Sequence, residues 1–444
     1  MAIELKRALK FKETFSLVIG TVIGTGVFLK ASVMTQFAGG AGWVLLAWFA
    51  AGVLSLAGAF CYAELGARYP SAGGEYVFLR ESFGGLPAFL NGWMRFWIGN
   101  PGSIASYSVG FMTFLGGAVP MNEFYQKIWA VVIIAIFTGI NCLTVRATGL
   151  FQAYLTALKL LMIGGLTILI VTHLPATQES AHWLSMPWPG WKAFGAAMLG
   201  ALWAYDGWNG MPMAAGEVHE PAKNIPRALI LGMVCIMGIY LLINSVYFFA
   251  LPLSAIVSSN SPSFPSALPV ASQAVLMTAG AGALVLVSFI MSFSALVSLN
   301  GSVLGGARIP FAMANDGLLW QPLARVNEVT HVPVNSVLTQ GAIAIALACS
   351  GTFDQLTDYV MFASWIFYAL TAAALFRIRA RGGSAPFQTP GYPWMPLIFI
   401  GVSVWLVVNT VLTAPWESAI GLLFIGAGVP YYWWRSKFTL ETPK

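Results

Sequence analysis

Two short segments place glycine and polar residues where an apolar helix gains nothing from them. They are LVIGTVIGTGVF, Leu17 to Phe28, and LWAYDGWNGMP, Leu202 to Pro212. A helix broken at the midplane of a bilayer exposes N–H and C=O groups that hydrocarbon cannot satisfy, so a ligand must satisfy them. Beyond the first break, the amides of Gly24, Thr25 and Gly26 stand at a helix N-terminus and form an anion site. Glycine lets an anion approach the backbone, and Thr25 adds a hydroxyl. The half-helices before each break end in carbonyls, near Val22 in the first segment and near Trp203 and Asp206 in the second, which suit an ammonium. One site with an anion pole and a cation pole fits the zwitterionic head group of an amino acid. The competing reading is that the glycines only permit close helix packing. A matched pair of breaks favours the site.

Single polar residues sharpen this picture. Lys159 stands in LTALKLLMIGG, too deep in an apolar run for easy snorkelling, which makes it a functional candidate. Asp206 has two readings: an N-cap for the helix that follows the second break, or a carboxylate that faces the ligand and admits cationic side chains. No HExxH motif, catalytic carboxylate pair or nucleophile–base arrangement is evident, so neither an enzyme nor a metal or cofactor site is expected. His173 and His182 read as solvated loop residues. Cys61, Cys142, Cys235 and Cys349 lie in apolar runs without disulfide or metal spacing and read as core residues.

The elements that must position these residues are membrane helices. The chain has 444 residues, 58% hydrophobic and 9% charged, with a mean hydropathy of +0.76. A soluble domain carries roughly 25% charged residues, so lipid must be the solvent here. The apolar runs are continuous and long, which excludes the alternating strands of a barrel. About twelve spans are expected, near 13–37, 42–66, 87–117, 127–145, 149–172, 193–217, 226–251, 272–305, 335–350, 357–378, 394–413 and 416–434. The connections are short, and those at 173–192 and 252–271 carry Pro and Ser. With the N-terminus inside, Lys and Arg crowd the cytoplasmic segments, and the outer loops hold only Lys127 and Lys192. Lys30, Arg95 and Lys159 fall within spans. The net charge of +6 reflects those basic cytoplasmic segments rather than nucleic-acid binding. The expected protein is a multi-pass protein of the cytoplasmic (inner) membrane with both termini cytoplasmic.

Five stretches carry a resemblance: Gly20 to Phe28, Ala63 to Trp93 (AELGARYPSAGGEYVFLRESFGGLPAFLNGW), Leu202 to Met211, Gly216 to Leu229 (GEVHEPAKNIPRAL) and Gly306 to Leu319 (GARIPFAMANDGLL). The chain resembles the amino acid–polyamine–organocation superfamily, and within it the L-type amino acid transporter branch and its bacterial relatives. The resemblance implies an all-α fold of five plus five inverted-repeat helices with two extra C-terminal helices and discontinuous helices 1 and 6. It divides one transmembrane domain into repeats at 13–172 and 193–378 and added helices at 394–434. It implies that Thr25 and Gly26 hold the substrate carboxylate and that the carbonyls of Val22, Trp203 and Asp206 hold its amino group. It further implies that Trp203 is the outer gate, that Asn209 lines the pocket, and that Ser364 and Trp365 border the side-chain space. Lys159 would reach the broken first helix where sodium-coupled relatives bind a cation.

The pattern fails in two places. Eukaryotic members carry a cysteine after span three that bonds an ancillary glycoprotein, and here Gly116 to Gln126 has none, so no disulfide-linked partner is expected. Asn100 precedes Pro101 where relatives often carry a basic residue. Arg95, one to two turns earlier, either replaces that charge or snorkels inward. The expected function is sodium-independent exchange of neutral L-amino acids by alternating access. Acceptance of cationic amino acids, proton-coupled symport, uniport and an amino acid sensor are the alternatives.

Overall fold

The structure is a computed structural model that describes residues 5–174, 187–259, 268–350, 353–382, 385–413 and 415–440, apart from the side chains of 353–363, 413, 417 and 438–440. Among the described residues it is all helical, with one isolated bridge between Leu9 and Val218. The chain opens with α1 (Phe11–Val22) and α2 (Gly26–Ala38), bent by 41° across a three-residue break. Gly39, at φ +73°, ends α2 in a left-handed turn that favours glycine. Next come α3 (Ala41–Arg68), α4 (Glu75–Phe83), α5 (Gly85–Met94), a π-helical turn over Arg95–Gly99 and α6 (Asn100–Gly116). α7 (Glu123–Ile140) and α8 (Val145–Thr172) begin at side-chain caps: Asn122 accepts from the Tyr125 amide and Thr144 from the Ala147 amide.

The second half opens with α9 (Trp191–Tyr205), a break, and the one-turn α10 (Gly210–Met213). It continues through α11 (Pro221–Ala250), α12 (Leu253–Val257), α13 (Val270–Ala279), α14 (Leu284–Gly306) and α15 (Arg308–Asn315). The last helices are α16 (Val334–Ser350), α17 (Phe353–Ala380), α18 (Trp394–Thr413) and α19 (Pro415–Leu440). Among the described residues, six helices are long and apolar enough to cross a membrane, and seven if α1 and α2 count as one bent span.

Burial sorts these helices. The apolar window of α3 is 61% buried, whereas that of α8 is 28% and that of α18 is 22%. The latter two carry large exposed apolar side chains such as Leu161 and Leu412, the pattern of helices whose outer face meets lipid. At the centre, α1 packs against α8, α11 and α14, and α2 packs against α9. Gly20 permits the first of these approaches. A Cβ there would stand 2.2 Å from Gln152 Nε2 and 2.5 Å from Thr156 Oγ1, both on α8.

Several expectations change. The segments between spans two and three and after span eight are helical, as α4 and α15. The span expected at 272–305 is interrupted between α13 and α14, where Gly280 has φ +82°. All four cysteines are free, but only Cys61 is buried and Cys349 is exposed. The loop at 173–192 is described only at its ends, and His182 lies outside the described residues. His173 is exposed, as its reading as a solvated residue expects, and it caps the end of α8 with Nδ1 2.9 Å from the Leu169 carbonyl. Just before α1, Leu9 pairs with the segment after α10. Its N–H donates to Glu217 at 2.9 Å, and its carbonyl accepts from His219 at 2.8 Å. The Glu217 carboxylate is buried against Arg308 at 3.0 Å.

Candidate functional site

The end of α1 is a cluster of carbonyls with named partners. Lys159, 1% exposed, donates to Gly20 O at 2.9 Å and to Ile23 O, and lies 3.3 Å from Ser298 Oγ. Ser298 donates to Gly20 O at 2.9 Å, and Ser294 to Ile23 O at 3.0 Å. A cation at a helix C-terminus is favoured by the dipole, and here the ammonium does not snorkel to a surface. The Tyr240 hydroxyl lies 2.9 Å from Val22 O and 2.8 Å from Ala204 O. It has one proton, so it serves one carbonyl at a time and leaves the other to a different donor. Val22 O also accepts from the Gly24 amide at 2.7 Å. Of the three amides expected to face an anion, that of Gly24 is therefore already engaged. In the first turn of α2 the Phe28 amide donates to Thr25 O at 3.1 Å, whereas the Gly26 and Val27 amides precede the first intrahelical bond.

Beside these groups lies a cavity of about 40 Å³, lined by Val22, Gly24, Thr25 and Gly26 from the first break and by Trp203, Ala204 and Asp206 from the second. Ser103, Ser106 and Tyr107 of α6 complete it. Such a volume holds a few waters at most, so an amino acid can enter only if the helices part. Thr25 Oγ1 is buried there without a hydrogen-bond partner. An orphaned buried hydroxyl is costly, and a ligand carboxylate would satisfy it.

The second break is held from both sides. Asp206 ends α9, with its amide on Trp203 O at 3.2 Å. Gly207 follows at φ +109°, and its carbonyl accepts from Thr21 Oγ1 at 3.2 Å. The residue preceding α10 is Asn209, without a side-chain cap. Asp206 is therefore not an N-cap. It lies three residues too early, and its carboxylate accepts from the Tyr368 hydroxyl at 2.6 Å. Asn209 lies beyond the cavity and donates to Glu75 Oε1 at 2.9 Å. It lines an adjoining cavity that shares Ser103, Tyr107 and Asp206 with the first.

Glu75 is the hub of a network that sequence reasoning missed. Arg95 lies 3.0 Å from Glu75 Oε2, Tyr62 donates to Oε1 at 2.9 Å, and Asn91 donates to Oε2 at 3.1 Å. Both charged side chains are under 5% exposed. The guanidinium also lies 5.5 Å over the Tyr368 ring, which links the network to Asp206. Arg95 therefore does not snorkel, and Asn100 donates to Gly306 O at 3.3 Å instead of joining an ion pair. Breaking a buried pair by removing one partner costs about 3–5 kcal/mol. Glu75→Gln leaves a buried guanidinium uncompensated, whereas Arg95→Met leaves a carboxylate that keeps three neutral donors. The expected loss of thermal stability in detergent is therefore larger for Glu75→Gln, and equal melting temperatures in both variants and the wild type would refute the hub.

Ser364 and Trp365 are buried away from the cavity. Trp365 packs on Tyr368 and Phe399, with ring centroids 5.3 and 6.2 Å away. Among the described residues no cluster of His, Cys, Asp and Glu could hold a metal ion.

The family profile described as amino acid permease matches residues 9–432. The chain is similar to the serine/threonine exchanger SteT of Bacillus subtilis (strain 168), at 29% identity over 98% of each chain. It is also similar to the b(0,+)-type amino acid transporter 1 of Mus musculus, at 29% identity over 94% of this chain and 85% of that one. For the large neutral amino acids transporter small subunit 2 of the same organism the identity is 26%, over 98% of this chain and 83% of the relative. A cavity between two broken helices and a profile match over nearly the whole length lead to one conclusion: the chain belongs to the amino acid permease family.

Proposed function

We propose that the chain is a sodium-independent exchanger of neutral L-amino acids in the cytoplasmic membrane, working by alternating access around the two breaks. The proposal includes twelve spans in a five-plus-five inverted repeat, with α18 and α19 added and both termini cytoplasmic. The observation that carries it is the pairing of poles at one cavity: first-turn amides and the unpartnered Thr25 hydroxyl on one side, half-helix carbonyls served by the single proton of Tyr240 on the other. Thr25 and Gly26 hold the carboxylate, Trp203 covers the substrate, and the carbonyls near Val22, Trp203 and Asp206 hold the ammonium. Lys159 places a fixed cation on the α1 carbonyls, where a bound ion would otherwise serve, which supports sodium independence. Exchange draws support from the relative described as a serine/threonine exchanger. A permease makes and breaks no covalent bond, so the chain is not an enzyme. The stretch from Gly116 to Gln126 has no cysteine, so no disulfide-linked partner is proposed.

The test is uptake of a panel of labelled amino acids into proteoliposomes, loaded or empty, with and without sodium. Efflux of neutral substrate should require amino acid on the opposite side and be indifferent to sodium. Equal efflux with nothing outside would establish uniport instead. One observation favours a second reading, acceptance of cationic amino acids: Asp206 is among the residues that line the cavity. Strong competition by L-lysine or L-arginine, abolished in Asp206→Asn, would select it.

A further inference from the structure

α2 carries Gly26 and Lys30 four residues apart, so both lie on one helix face, one above the other. Trp203 of α9 meets both. Its Cζ3 stands 3.0 Å from where a Gly26 Cβ would be, and Lys30 Nζ lies 4.1 Å from its ring centroid. The ring lines the cavity and Lys30 does not. The indole is thus seated on the bare turn at Gly26 and roofed by an ammonium. Lys30 is half-buried, and an ionisable side chain within an apolar helix is costly and is retained where it has a task. Lys30 has a long stem with which it could snorkel, yet its charge rests on the negative face of the indole, the most favourable aromatic partner for a cation.

We propose that Lys30 is a positioning residue that acts through Trp203. Its ammonium holds the indole across the cavity and so ties the half-helix after the first break to the half-helix before the second when the pocket closes. The inference rests on the reading of Trp203 as the substrate's cover. A cover that must swing aside and return needs a defined closed position, and the face of α2 supplies one: no side chain at Gly26, so that the ring can lie close, and a cation one turn on to hold it.

The experiment uses the full chain in proteoliposomes, with the neutral amino acid of highest uptake in the panel above as labelled probe. Lys30→Met and Lys30→Gln should weaken apparent affinity at the outer face by about three- to thirtyfold. Lys30→Arg, which keeps a cation over the ring, should recover most of that loss. Trp203→Leu should weaken affinity by itself, and adding Lys30→Met to it should change little, because the two residues act as one unit. Wild-type affinity in both Lys30→Met and Lys30→Gln would overturn the proposal. So would a full additional loss on the Trp203→Leu background, or an arginine variant as weak as the methionine one. Should Lys30→Met fail to fold, Lys30→Gln carries the same comparison. An unaffected Trp203→Leu protein would instead overturn the reading of Trp203 as a cover, and that result is distinct from a sensitive Trp203 with an indifferent Lys30.

Discussion

Gly26→Ala should abolish substrate binding at ordinary concentrations while the protein remains folded. The added Cβ would stand 2.6 Å from the Ala204 Cβ and 2.9 Å from the Ala204 Cα, as well as 3.0 Å from Trp203 Cζ3. Ala204 has no flexible end that could move away, so α2 and α9 must part. That displaces the first-turn amides and the Trp203 ring together. Hydrogen bonds to a charged group are worth about 1.5–3 kcal/mol each, so losing two of them corresponds to at least about a hundredfold in affinity. The clash also corrects the simplest idea of why glycine is needed here. A side chain at position 26 would point at α9 rather than fill the carboxylate's place. Gly24→Ala should be milder, since its nearest neighbours are the Tyr107 ring at 3.2 Å and Ser298 Oγ at 3.5 Å. Gly164→Ala, with nothing within 4 Å, serves as the folding control. Equilibrium binding to detergent-purified protein, with size-exclusion profiles, decides it. A monodisperse Gly26→Ala protein of wild-type affinity would remove the anion pole from this site.

The second large effect concerns rate rather than affinity. Lys159→Ala removes the only charge on the α1 carbonyls among the described residues, but Ser298 and Ser294 still donate to Gly20 O and Ile23 O. The fold and the cavity should therefore survive. What disappears is the tie from α8 to the end of α1, and with it the balance between inward- and outward-open states. A ligand can shift that balance only by its differential affinity for the two states. Turnover should fall at least about tenfold, equivalent to roughly 1.4 kcal/mol on the barrier, while equilibrium affinity changes far less. Turnover and binding must be measured in the same preparation. An unchanged rate would make Lys159 purely structural, and an equal loss of affinity from both faces would place it in the substrate site.

Both breaks were legible in the sequence because glycine and polar residues at mid-span have no local reason to be there. Lys159 was legible on the same ground: an ammonium deep in an apolar run demands partners. The Glu75 network was not. Glu75 lies in a segment that reads as a connection, and its partners come from α3, α5, the π-helical turn and the residue preceding α10. Nothing in the local pattern of Arg95 distinguishes a buried pair from a snorkelling side chain. Asp206 was half legible: its place at the cavity could be read, but its partner Tyr368 is 162 residues away. Trp365 shows the opposite failure, since an aromatic residue near a pocket-lining helix packs equally well on the helix behind it.

The partners that complete the first break are far along the chain. Lys159 is 139 residues from Gly20, Gly207 is 186 from Thr21, Tyr240 is 218 from Val22, and Ser298 is 278 from Gly20. Synthesis runs from the N-terminus, so α1 is made before any of these groups exists. Its open carbonyls cannot be left in hydrocarbon. The nascent first span must therefore stay beside water or the insertion machinery until α8 brings its ammonium, and its last hydroxyl donor arrives only once Ser298 has left the ribosome.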